Sequence, residues 1–67
     1  MNSGISVGSF ITKQISHPTD YRKEVIMKGI VLIKRGTYMR VHVLFYDDIP
    51  SNDIINCHEY DSKVISR

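Results

Sequence analysis

Nine consecutive residues constrain this chain more than any others. From Tyr38 to Tyr46, Met39, Val41, Val43 and Phe45 alternate with Tyr38, Arg40, His42, Leu44 and Tyr46. A strict period of two places successive side chains on opposite faces, so this segment predicts a strand with one apolar face turned inward. The preceding segment, Glu24 to Lys34, puts Val25, Met27, Val31 and Ile33 on one face with Gly29 among them. Ile26, Lys28, Ile30, Leu32 and Lys34 take the other face. A helical template also matches Ile26, Ile30 and Ile33, but the Val and Ile content, the internal Gly and the turn that follows favour a strand. Lys34-Arg35-Gly36-Thr37 is that turn, and the two segments read as a long β-hairpin. At roughly 3.3 Å per residue a hairpin of this length approaches 30 Å, so a small barrel requires strand two to bend, and Gly29 is the place for it.

The rest of the chain supplies short strands between turn signals. Val7 to Ile15 reads as an opening strand, with Gly8 placed for a bend or a positive φ. Ser16-His17-Pro18-Thr19-Asp20 begins a loop that runs to about Lys23. Asp47 to Asp53 is a second loop, containing Pro50. Ile54 to His58 reads as a short strand, Glu59 to Ser62 as a single turn of 3₁₀ type, and Lys63 to Ser66 as a closing strand. With 67 residues the chain makes one domain, and two full sheets could not be filled. The expected fold is therefore all-β: one domain over residues 1–67, with a five-stranded sheet bent over itself and residues 1–6 as a flexible N-terminus.

The order of elements resembles an SH3-like small barrel of the KOW and Tudor kind. Val7-Gly8-Ser9-Phe10-Ile11 is similar to the opening strand that follows a glycine. Lys28-Gly29-Ile30-Val31-Leu32-Ile33 is similar to the G-x-V strand of KOW modules. Tyr38 to Tyr46 is similar to the central strand, and His58 to Ser66 to the closing turn and final strand. Small SH3-like proteins encoded by bacteriophages share this layout, and most have no known activity. The fold hosts many functions, so the resemblance implies an architecture before it implies a role. The chain has no Trp and so lacks the aromatic signature of a proline-peptide groove. A plasmid-encoded dihydrofolate reductase uses a similar barrel with a Val-Gln-Ile-Tyr motif, which Ile54-Ile55-Asn56-Cys57 does not match.

Catalytic and metal signals are weak. Cys57 and His58 are neighbours on a strand and point to opposite faces, so they do not pair as nucleophile and base. The His and Cys spacings match no zinc pattern, and no phosphate-binding glycine motif occurs. No catalytic residue, metal or cofactor is expected, and no small-molecule substrate. A single cysteine excludes an internal disulfide, and no apolar run approaches a membrane span. The expectation is a cytoplasmic protein that does not engage membranes.

The informative chemistry is charge and apolar surplus. Residues 1–40 hold seven basic groups against two acids, and residues 41–67 two against five; these +5 and −3 halves make the net +2. The halves either neutralise each other across the barrel or leave a basic hairpin free for an acidic partner. Ile26, Ile30, Leu32 and Leu44 on the second hairpin face call for a cover, from a terminal segment or another molecule. The expected function is a non-catalytic binding module, a phage or mobile-element accessory protein that binds a host or viral protein. Lys34, Arg35, Tyr38, Arg40, His42 and Tyr46 are the expected contacts. The alternative is RNA or DNA binding through Lys28, Lys34, Arg35 and Arg40 with interleaved tyrosines. A further alternative is a self-associating structural protein.

Overall fold

The hairpin forms where the alternation puts it. In the computed structural model, which describes residues 4–66, β2 (Glu24–Arg35) and β3 (Tyr38–Tyr46) pair antiparallel from Arg35↔Tyr38 to Met27↔Tyr46. Gly36 and Thr37 make the connection, and Gly36 takes φ 58°, a left-handed value that disfavours residues with a Cβ. β1 (Phe10–Ser16) pairs the other edge of β2, and β6 (Lys63–Ser66) pairs β1. The outer edge of β3 is shared by β4 (Ile49–Pro50) and β5 (Ile54–His58).

The result is an all-β, curled antiparallel sheet, a half-barrel of the small SH3-like kind. A last strand returning to the first, beyond a meander, is what bends one sheet around one core. Among the described residues no ladder joins β5 to β6, so the curl stays open along that seam. The sixth strand is a two-residue pairing inside the loop expected at 47–53.

The concave face holds the core: Ile5, Ile11, Val25, Met27, Val31, Met39, Val41, Val43 and Tyr46. Ile15, Ile55, Cys57 and Val64 pack against it half-buried. Two bulges correct the inward faces expected from sequence. Lys28 pairs Phe45 and Gly29 pairs Val43, so Leu44 is an extra residue on β3. Alternation reverses there, leaving Phe45 37% exposed and Tyr46 6% exposed, the opposite of the expected assignment. Val31 pairs Val41 and Ile33 pairs Arg40, so Leu32 is an extra residue on β2. Ile33, expected inside, is exposed for the same reason.

Gly29 sits beside the first bulge and against β3. A Cβ there would lie 2.5 Å from the His42 carbonyl oxygen and 2.7 Å from Val41 Cγ1. Strand β2 thus approaches β3 at a distance only glycine permits.

The ends depart from expectation in detail. β1 begins at Phe10 and not Val7, because Gly8 turns the chain at φ 90°. Gly8 N–H nevertheless donates to Val31 O at 2.8 Å, and Val31 N–H to Ser9 O at 3.0 Å, so the segment stays docked on β2. Of the N-terminus expected to be flexible, residues 1–3 lie outside the described residues, whereas Ile5 is buried in the core. The turn before β6 is a β-turn and not a 3₁₀ turn: Ser62 N–H donates to Glu59 O at 3.1 Å while Asp61 takes φ 60°. No helix among the described residues is long and apolar enough to cross a membrane.

Candidate binding face

The convex face of the sheet carries the functional candidates, and register decides which of them meet. Residues paired across neighbouring strands share a face. One row therefore runs Phe10, Ile30, His42, Ile54 across four strands. The next row toward the hairpin turn joins Ile33, Arg40 and Asn56, and the last joins Arg35, Tyr38 and His58. Leu32, extruded by its bulge, is exposed at 39%.

These last two rows form a groove of about 450 Å³ lined by Ile33, Arg35, Tyr38, Met39, Arg40 and Asn56. Among the described residues both of its charges are guanidinium groups, and no acidic side chain lines it. Arg40 Nε–H donates to Asn56 Oδ1 at 3.2 Å, which aims the guanidinium along the face. Arg35 has no side-chain partner among the described residues.

Three rings form a row beside the groove. Tyr38 and His58 lie 4.1 Å apart between centroids, tilted by 37°, and His58 and Tyr60 lie 5.4 Å apart at 24°. Tyr38 and Tyr60 remain 57% and 61% exposed, so the ladder shows its faces and edges to solvent. Lys13 Nζ donates to the Tyr60 carbonyl and ties the closing turn to β1.

Of the residues expected at a partner site, Arg35, Tyr38 and Arg40 are brought together. His42 stands one row away on the same face, its Nε2–H donating to Asn52 Oδ1. Two are removed from the face. The Leu32 bulge turns Lys34 to the Met39 side, where its Nζ meets Glu59 Oε2 at 3.2 Å and donates to Gly36 O at 2.9 Å. The Leu44 bulge turns Tyr46 inward, where its hydroxyl donates to Asp53 Oδ2 at 3.1 Å. Burial, and then the Asp53 carboxylate, push the Tyr46 phenol up to about 12. For the nucleic-acid alternative, Lys28 opposes Thr12 and Phe45 on the convex face, separated from Arg40 by the Ile30–His42 row.

Ile33, Asn56, His58 and Tyr60 belong to this surface and were not among the contacts expected from sequence. The alternation of β5 already placed Asn56 and His58 on one face; their pairing with Arg40 and Tyr38 is tertiary. Cys57 faces the core side, and burial pushes its thiol up, opposed by nearby Lys13. Among the described residues no group of three or more His, Cys, Asp or Glu is placed to hold a metal.

Comparison with protein-family models, curated proteins and solved structures finds no match to this chain.

Proposed function

We propose that the chain is a non-catalytic binding module that holds an acidic segment of a partner protein on its convex face. The observation that carries this reading is the groove: Arg35, Tyr38 and Arg40 over Ile33, with no acidic side chain among the described residues that line it. Tyr and Arg are the residue types that anchor protein interfaces, and an apolar floor gives them a water-excluding surround. The half-buried row Phe10, Ile30 and His42, ending in the exposed Ile54, extends that floor beyond the groove. In the phage-type setting that the resemblance suggests, the partner is a host or viral protein and the compartment is the cytoplasm.

The ring ladder favours a second reading. Exposed rings beside Arg35 and Arg40, with Lys28 farther along the same face, suit single-stranded nucleic acid, whose bases stack while basic side chains neutralise phosphates. One experiment separates the two. Tagged protein is used to capture partners from host lysate, with and without nuclease, alongside Arg40→Ala and Tyr60→Ala. A protein partner survives nuclease, is lost with Arg40→Ala and is retained by Tyr60→Ala. A nucleic-acid ligand is destroyed by nuclease, is lost with Tyr60→Ala and weakens steeply with salt. Retention of the same partners by Arg40→Ala would overturn the groove as the site.

A further inference from the structure

The free edge of β5 carries an inference independent of the groove. Glu59 N–H donates to Thr37 O, and Val43 N–H donates to Asp53 O. In an antiparallel pair the hydrogen-bonded positions alternate, so residues 53, 55, 57 and 59 spend their backbone groups on β3. Ile54, Asn56 and His58 therefore direct their N–H and C=O groups away from β3, toward the open seam. Among the described residues nothing pairs with them there.

The other edges are guarded in the ways proteins use against strand pairing. β4 carries Pro50, and β6 carries Lys63. β5 reads Ile-Ile-Asn-Cys-His, with no Lys, Pro or Gly, and pairs β3 without a register shift. It is uncharged with His counted neutral, so a second β5 meets it without charge repulsion.

We infer that this edge is a strand-addition site and that its occupant is β5 of a second copy of the chain. The strand is self-complementary about Asn56. With antiparallel copies centred there, Ile54 opposes the partner's His58, and Asn56 opposes the partner's Asn56. All the outward-facing positions then fall in hydrogen-bonded pairs that exchange both bonds. Asn56 gives its Oδ1 to Arg40, which leaves its amide N–H groups for the partner's carboxamide. The twofold axis stands normal to the sheet, so both grooves lie on the same side of one continuous sheet.

The test is sedimentation of the full chain across concentration. Wild type is expected to shift from 7.7 kDa toward twice that mass. Asn56→Pro removes an N–H that points away from β3, so the fold should persist by circular dichroism while dimer affinity falls about tenfold or more. The double variant Ile54→Lys with His58→Lys places like charges across the twofold and is expected to stay monomeric. A wild type that is monomeric at every concentration overturns the inference. So does a dimer that both edge variants leave intact, because its interface would then lie elsewhere. A mixed assembly formed only with another protein's strand also overturns it. Each outcome is read without the groove's ligand, so failure here leaves the proposed function standing.

Discussion

Replacing Gly29 with Ala tests the packing argument most directly. The added Cβ would meet the His42 carbonyl oxygen at 2.5 Å and Val41 Cγ1 at 2.7 Å. To reach ordinary contact at 3.4 Å, the oxygen must retreat by about 0.9 Å and Val41 Cγ1 by about 0.7 Å. Neither moves freely: the oxygen belongs to the β3 backbone, and Val41 is fully buried. Overpacking of this kind typically costs about 1–3 kcal/mol. Losing a glycine from the unfolded chain returns about 0.4–1 kcal/mol. The net loss is then about 1–2 kcal/mol, a large share of the roughly 3–10 kcal/mol a chain of this size commands. Urea unfolding followed by far-ultraviolet circular dichroism reads it. With a slope of about 1 kcal/mol per molar for so small a domain, the midpoint should fall by about 1–2 M at unchanged slope. Adding Val41→Ala removes one of the two clashes, so the double variant should lose less than the two single losses combined. A midpoint equal to or above wild type, or strict additivity, would refute the close-approach reasoning.

The remaining predictions concern single groups. Tyr46 should make stability fall as pH rises from about 10 to 12, because the unfolded phenol ionises near 10 while the folded one holds its proton to about 12; the slope approaches about 1.4 kcal/mol per pH unit and vanishes in Tyr46→Phe, as urea midpoints across that range will show. Gly36→Ala should cost about 1 kcal/mol because φ is 58°, and Gly36→Asn should cost less, compared by thermal unfolding. Cys57, half-buried and with its thiol pushed up, should react with an aromatic disulfide reagent at pH 8 more slowly than free cysteine; the rate should rise when urea opens the fold.

Much of the architecture was legible because it rests on period and turn chemistry. The β3 bounds Tyr38–Tyr46 and the β6 bounds Lys63–Ser66 match their sequence reading, as do the two faces of β5. Val25, Met27, Val31, Met39, Val41 and Val43 sit in the core where alternation put them. The candidate site was legible only in part. Tyr38 and Arg40 share a face as expected; the Leu32 bulge that turns Lys34 away also brings Arg35, expected in the turn, onto that face, and Tyr46 changes sides at the Leu44 bulge. A bulge inserts one residue without changing composition, so period alone extends the wrong face past it.

The sequence by itself determined the long hairpin, the glycine-bearing turn that joins it, most of the apolar face that becomes the core and the all-β order of elements. These follow from local rules: alternation, β-branched content and glycine at the turns. Only the tertiary structure decided that Leu32 and Leu44 are extruded, that Phe45 and Ile33 face solvent while Tyr46 is buried, and that β5 lays Asn56 and His58 beside Arg40 and Tyr38. The physical reason is that register is a relation between strands. It is set by how two pleated surfaces fit across the β2–β3 and β3–β5 ladders, where Gly29 admits one approach and a Cβ would forbid it.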